Sequence, residues 1–583
     1  MINKIFRKML LTQIVSSMTV MLCMLIDSIM IGKFLGVDSM TAYGLAAPVL
    51  LVFAAVGSMI SAGVQVMCGR TMGAGDKKGT NACFSMSVFL VALISVIGLI
   101  VVLGFTDPIC TLLGAGRASP DNEVFYLTRD YLRGFIIGAP AFLAAQMMVP
   151  YMQISGNRTR LVVAVAAMTV GDILIDLLNV FVFKGGTFGM GLASSVSYFI
   201  AFGIGLVYFF KKKCIFKFKF NLISFPVLKR LIIDGVPTLI NQVSLVFLTY
   251  IFNKILLEVG GNVTVAAYSV ISSAGNICYS FSAGIAAVSL MLSAVLYSDQ
   301  ERTALVSLVR SMIFYSFIIC GTVTVIVFAA ARPLVNLFLN DPTAESYAVT
   351  GMRFFVLSLV PCAFNTCFKN YYQGIDHTRF TCTISIAQNL VFPAASAFVL
   401  SSFMGVNGVW LSFLCGEILA LTMIAIIVTV INKKPALNAE SFSLLPENFG
   451  TEDAFCFEFS VANSEDVSAA SAQAEHACRE SGCDDRSSKI IALCIEELAG
   501  NVVKHGMANE EKEHSMDIRM VIKKEETILR FRDNCRYFDP VKFLELHQND
   551  NPTEHIGLRM IMMIVKDARY VNSLGLNNLT LVI

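Results

Sequence analysis

The sequence predicts a polytopic α-helical membrane protein: twelve transmembrane helices in two six-helix lobes, followed by a cytosolic α+β domain. Three observations predict it. The composition is strongly apolar, twelve apolar runs are long enough to span a bilayer, and the pattern changes abruptly after Pro435. Of 583 residues, 56% are hydrophobic and 15% charged, with a mean hydropathy of +0.69. In water such a chain would expose large apolar patches, so lipid has to solvate most of it.

The first six runs are Leu10–Gly32, Gly44–Cys68, Cys83–Phe105, Thr128–Pro150, Leu161–Phe183 and Phe188–Phe210. The second six are Leu231–Leu257, Ala266–Tyr297, Ser311–Ala330, Thr350–Tyr372, Phe380–Ser402 and Val406–Ile431. In hydrocarbon each can satisfy its backbone only as a helix. Lys4, Arg7 and Lys8 precede the first run, which is long enough to span and has no small-residue cleavage site. It reads as a retained helix. Sixteen cysteines are scattered through apolar stretches without any C-x-x-C, as small buried hydrophobes are.

Charge sets the orientation. From Glu440 onward there are about 15 Lys and Arg against about 25 Asp and Glu, leaving the tail near −10. The remaining 29 and 17 leave the front near +12. An acidic tail argues against nucleic-acid binding. In the front, basic residues concentrate at both ends and in alternate loops (Arg70, Lys77, Lys78, Arg158, Arg160, Lys211–Lys213, Lys229, Arg230, Arg302, Arg310, Arg379). The intervening loops carry fewer, among them Lys33, Arg117 and Arg332. Both termini are therefore expected in the cytoplasm.

Short echoes suggest one six-helix unit used twice. YMQISGNRTR at Tyr151–Arg160 recurs as YYQGIDHTR at Tyr371–Arg379, and Ala42-Tyr43 recurs as Ala267-Tyr268. GMGL at Gly189–Leu192 is echoed by GVNGV at Gly405–Val409, all at offsets near ~220 residues. The expected layout is an N-lobe (1–215), a C-lobe (216–432), a linker (433–447) and a C-terminal domain (448–583). A parallel repeat of this kind places a cavity between the lobes.

Few ionisable residues lie deep in the runs: Asp27, then Asp172 and Asp176 four apart on one helical face, and Glu417. Each costs about 2.5–3.5 kcal/mol at mid-membrane without a partner or water. Two carboxylates sharing such a site raise each other's pKa, which suits proton uptake and release. The alternative for each is a structural polar contact between helices.

MLIDSIMIGKFLG (Met24–Gly36), GRTMGAGDKKG (Gly69–Gly79), GNRTR (Gly156–Arg160), GDILIDLLNV (Gly171–Val180) and GMGLASS (Gly189–Ser195) follow one another across the first lobe. With these motifs the chain from Ile5 to Ile431 resembles the multidrug and toxic compound extrusion (MATE) transporters. The resemblance implies a V-shaped cavity and export of organic, often cationic, compounds against inward protons or sodium. It makes Asp27, Asp172 and Asp176 the ion-coupling and substrate residues, with Asp172 standing where the family has Asn. The first run lacks proline, so a proline-bend mechanism does not carry over. The seventh lacks a mid-membrane Glu, so a second-lobe cation site does not either.

In the tail, Phe455–Val461 alternates as a strand, Ser464–Ser481 and Arg486–His505 read as helices, and Met516–Lys523 with Thr527–Asp533 as a hairpin. Ile556–Ala568 reads as a helix and the end as two short strands. Glu497 and Asn501 share a helical face, which suits a magnesium-nucleotide site. Asp533 at a strand end can accept an adenine amino group, and Gly557 at a helix start can receive phosphate. These boxes resemble the GHKL ATPases, closest to the anti-sigma-factor serine kinases. The resemblance makes Glu497 the catalytic base, Asn501 the metal ligand, and Asn501, Asp533 and Gly557 the nucleotide-binding residues. Cys535 replaces the family's Gly, and the second glycine box keeps one Gly.

The expectation is an ion-coupled drug antiporter in the plasma membrane. Its partners are the lipid bilayer and a small organic substrate, not nucleic acid, and the tail binds Mg-ATP. ATP hydrolysis, serine phosphorylation and a protein partner for the tail stay open. The rivals are a membrane sensor with a kinase tail and a lipid or glycan-precursor flippase.

Overall fold

The computed structural model describes every residue except 1, 117–121, 212–213, 337–341, 434, 436–437, 447–448, 450–454, 508–513, 523–525, 548–554 and 574–575. Arg117, Lys212, Lys213, four positions of the expected linker and the expected start of the C-terminal domain thus lie outside the described residues.

The first half folds as α1 (Ile2–Met30), α2 (Val37–Gly73), α3 (Lys77–Gly104), α4 (Glu123–Ile154), α5 (Arg158–Leu178) and α6 (Gly186–Phe209). The second half folds as α7 (Phe225–Gly261), α8 (Val263–Ser298), α9 (Arg302–Ala329), a bent α10 (Pro342–Leu357 and Leu359–Gly374), α11 (Thr378–Met404) and α12 (Val406–Asn432). Among the described residues, ten of these helices are long and apolar enough to cross a membrane, and α10 makes an eleventh when counted as one span. The expected count of twelve is thus met for eleven. The first helix contributes only a shorter apolar stretch, Met9–Met18, within the described residues.

Local chemistry explains the breaks. Asp76 accepts from the Gly79 backbone N–H at 2.8 Å and starts α3, and Asn122 accepts from Phe125 at 3.1 Å and starts α4. Gly261, at φ 71° and ψ −167°, interrupts the path from α7 to α8, a conformation only glycine adopts easily. Pro361 cannot donate to the Leu357 carbonyl, and α10 bends there by 46°.

Glycines let helices meet backbone to backbone. Gly134 and Gly138 of α4 lie against the Phe188 carbonyl and Ser195 of α6, and Ser195 Oγ donates to the Gly134 carbonyl at 2.7 Å. Between the halves, Gly63 and Gly73 of α2 lie against the carbonyls of Leu231 and Val295, and Gly235 of α7 against that of Met59. These contacts concentrate at the end of the bundle that carries the C-terminal domain. The echoed motifs hold corresponding places: Tyr151 and Tyr371 are both fully buried, as are Ala42 and Ala267.

The C-terminal domain contains β1 (Phe455–Val461), α13 (Ser464–Glu480), α14 (Asp485–Asn501), β2 (Met516–Ile522), β3 (Thr527–Asp533), α15 (Pro540–Leu546), α16 (Ile556–Ile564), β4 (Asp567–Ser573) and β5 (Leu576–Val582). α16 stops at Ile564, before the expected Ala568, because Asp567 and Ala568 already pair with β5. The strands form one antiparallel sheet in the order β1-β2-β3-β5-β4. Met516, Ile518, Met520, Leu529 and Phe531 face the helices and join Ile491, Cys494, Ile495 and Leu498 of α14 in the core. Strand alternation sends Arg519, Arg530 and Arg532 to the opposite face.

Candidate functional site

Three groups of polar residues stand out, two inside the helical bundle and one in the C-terminal domain.

In the first half, α1 and α5 bring Asp27, Asp172 and Asp176 together. All three are buried, Asp176 to 1% exposure. The spacing of four residues places Asp172 and Asp176 on one face of α5, as expected. Asp27 comes within hydrogen-bonding reach of both. Its Oδ2 also accepts from Ser194 Oγ of α6 at 3.5 Å, and its Oδ1 has no donor. Neither Asp176 oxygen has a donor either. Two carboxylates at that distance hold no hydrogen between them unless one carries a proton, or a cation stands in. Tyr43 and Tyr131, packed edge to face at 5.4 Å, form the aromatic wall beside these acids.

The second half contains a group of which sequence reasoning found only Glu417. Glu417 of α12 accepts from Asn365 Nδ2 of α10 at 2.7 Å and from Gln388 Nε2 of α11 at 3.0 Å. Lys369 of α10, 4% exposed, donates to Asn241 Oδ1 of α7 at 2.5 Å and to Gln388 Oε1 at 3.3 Å. Gln388 therefore bridges a buried cation and a half-buried anion, and Asn389 donates to the same Asn241 oxygen at 2.7 Å. Lys369 lies three residues from the end of an apolar run and looks like an interfacial flank. Its opposite charge to Glu417 is the signal that pairs them.

In the C-terminal domain, the structure brings the expected boxes to the helix-bearing side of the sheet. The Gly557 backbone sits so close to the Glu497 carboxylate that a Cβ would collide with it. A side chain there would make the Glu497 carboxylate swing aside. Asn501, one turn beyond Glu497 on α14, is exposed and free to reach a ligand. Asp533 is buried at the end of β3, where Oδ1 accepts from Asn577 Nδ2 at 2.8 Å and from the Cys535 backbone N–H at 2.9 Å. Burial pushes its carboxyl above the ordinary value, and the Asn577 and Cys535 hydrogen bonds pull it partly back. Cys535 packs 3.2 Å from where a Gly506 Cβ would lie, joining the segment after α14 to the loop after β3. The described residues contain no group of three or more His, Cys, Asp or Glu arranged to hold a metal. A magnesium ion would thus depend on Asn501 and the nucleotide itself. The exposed Asn501 amide and the close approach of Gly557 to Glu497 fit that arrangement.

The MatE family model matches residues 13–178 and 237–399, more than half of the chain. The chain belongs to the MatE family. A second model, the histidine kinase-like ATPase domain, matches residues 461–583, so this MatE protein carries an ATPase-type domain at its C-terminus. Among curated relatives, the multidrug export protein MepA of Staphylococcus saprophyticus is 23% identical over 388 residues, covering 66% of this chain and 84% of the relative. MepA of Staphylococcus aureus is 21% identical over 400 residues, covering 68% and 86%. The MatE part also superposes on a multidrug resistance MATE transporter solved outward-facing, with a TM-score of 0.68 at 20% identity over 72% of this chain and 94% of that one. A Vibrio cholerae MATE transporter gives 0.66 at 17%, over 72% and 95%. The fold is shared.

Proposed function

We propose that the protein is a multidrug antiporter of the plasma membrane. It exports organic, cationic compounds in exchange for protons or sodium, both termini face the cytoplasm, and the C-terminal domain binds magnesium-ATP. The observation that carries the reading is the meeting of buried Asp27 with buried Asp176 beside Asp172, where Asp27 Oδ1 and both Asp176 oxygens have no hydrogen-bond donor. Such a cluster holds its full charge only when a cation lies in it. Protons, sodium and a cationic substrate therefore compete for the same negative site, and that competition is what exchange requires. The names of the MepA relatives, which are multidrug export proteins, support the substrate class.

In the C-terminal domain, Asp533 would read the adenine, Gly557 would admit phosphate to the start of α16, and Asn501 would hold magnesium. Magnesium, when bound, neutralises phosphate charge. Glu497 is placed to take a proton from a nucleophile. The charged groups gathered around Asp27 are all carboxylates, which favours cationic substrates over the phosphate headgroups a flippase would carry.

Tetraphenylphosphonium tests the reading. Added to purified protein in weakly buffered, sodium-free solution, it should release protons from the wild type and none from Asp27→Asn. Tight binding without proton release by the wild type would remove the basis for exchange.

A further inference from the structure

The C-terminal domain rests on the closed end of the bundle and touches both halves of the transporter. At that end Arg70 of α2 reaches Asp234 of α7 at 3.4 Å, Asp376 after α10 at 3.4 Å, and the carbonyls of Gln373 and Gly374. Arg230 closes the network on Asp376 at 2.7 Å and Asp234 at 3.2 Å. Ser298, the last residue of α8, donates to the Arg70 carbonyl at 2.6 Å. The first and second halves are thereby tied together.

The next three residues hold the C-terminal domain. Arg532 of β3 makes ion pairs with Asp299 at 2.7 Å and Glu301 at 2.8 Å. Arg530 donates to the Asp299 carbonyl at 3.1 Å and Arg519 of β2 to the Gln300 carbonyl at 3.2 Å. Both carboxylates are buried by this contact. On the first half, Gly75 between α2 and α3 lies against Val571 and Arg569 of β4. One rigid sheet thus spans the seam, with β3 on the second half and β4 on the first. Parting the halves at this end would pull those two footholds apart.

The same strands carry the candidate nucleotide site on their other face. Arg532 and Asp533 are consecutive on β3, as are Asn577 and Asn578 on β5. Asn578 accepts from Arg532 Nε at 2.7 Å on the docking face, while Asn577 donates to Asp533 on the nucleotide face. A shift of β3 against β5 on one face must be felt on the other.

We propose that the C-terminal domain is a lock: docked across both halves it holds this end of the bundle shut, and nucleotide bound on the opposite face of β3 sets how firmly it docks. The nucleotide half rests on the nucleotide-binding reading above, and the locking half does not. A domain that binds one conformation better shifts the population toward it, by as much as its differential affinity and no more. By reciprocity, transporter conformation then alters nucleotide affinity by the same factor.

The test uses the full chain in lipid nanodiscs, with spin labels introduced by amber suppression at Lys78 and Arg379, one exposed position on each half. Wild type should give a short, closed distance. Asp299→Asn with Glu301→Gln should shift the population toward longer distances by about fivefold or more. Arg532→Glu alone should do the same. Identical distributions in wild type and the double variant would overturn the lock. Magnesium with a non-hydrolysable ATP analogue should alter the wild-type distribution and leave the double variant unchanged. A fluorescent ATP analogue binding the wild type with no change in distance would overturn the nucleotide coupling. If that probe does not bind at all, the nucleotide-binding reading fails together with the coupling, and the variant distances still decide the lock.

Discussion

Arg532 and Asp533 are neighbours on β3 that face opposite ways: one is clamped by Asp299 and Glu301 of the transporter, the other is held by Asn577 inside the ATPase-type fold. Strand alternation alone produces this back-to-back arrangement. It gives the two parts of the chain a shared structural element.

The nucleotide face yields three separable variants. Gly557→Ala puts a methyl group into the Glu497 carboxylate, so affinity for a fluorescent ATP analogue should fall at least about tenfold, roughly 1.4 kcal/mol. Asn501→Ala should abolish the magnesium dependence of binding. Glu497→Ala should keep binding and lose any hydrolysis or phosphotransfer, because it removes only the proposed base. Equal affinity in Gly557→Ala and wild type would remove Gly557 from the site.

The Lys369–Gln388–Glu417 bridge predicts non-additive stability. Removing one charge leaves the other, buried Lys369 or half-buried Glu417, without its opposite charge across Gln388, which destabilises it. Lys369→Met and Glu417→Gln should each lower the melting temperature in detergent. The double variant should lose clearly less than the two singles together. Additive losses would mean that the two charges do not communicate through Gln388.

Docking should tolerate mild acid. Burial pushes the Asp299 carboxyl up from 3.8 to about 6, against the pull of Arg530 and Arg532. A value raised in the docked state means that docking takes up a proton here, so lowering the pH through about 6 favours docking through this group. At Glu301 burial pulls upward, but Arg532 and Arg530 outweigh it and hold the carboxyl below its ordinary 4.5. Its contribution is present above 4.5 and is lost only as the pH falls through the lower, docked value. Arg519, Arg530 and Arg532 keep their charge throughout, so the label distance should stay short from pH 7.5 to 5.5. Opening within that window would contradict the assignment of Glu301 as the anchor.

Much of this was legible in the sequence because the signals were local. The i,i+4 spacing of Asp172 and Asp176 placed them on one face, and the order Glu497, Asn501, Asp533, Gly557 marked out a candidate C-terminal site. What was not legible depends on distant pairings. Arg532 and Glu301 are 231 residues apart, and an arginine on the outer face of a strand reads as solvated until its partner is seen. Lys369 hides beside Asn370, Tyr371 and Tyr372 at the end of an apolar run. Its partners lie on two other helices, so no spacing within α10 reveals them.

The proposed orientation, with both termini in the cytoplasm, rests on the Lys and Arg distribution. In a cysteine-depleted chain, an impermeant maleimide should label Gly116→Cys in intact cells and Ser481→Cys only after permeabilisation. Labelling of Ser481→Cys in intact cells would invert the topology.

The carboxylates around Asp27 are proposed to couple export to an ion gradient. Proteoliposomes loaded with ethidium and given an imposed proton or sodium gradient measure that coupling. Wild-type protein should move ethidium only when the gradient is present. Asp27→Asn and Asp176→Asn, inserted at the same density, should abolish that movement. Gradient-driven transport at the wild-type rate by both variants would contradict the account.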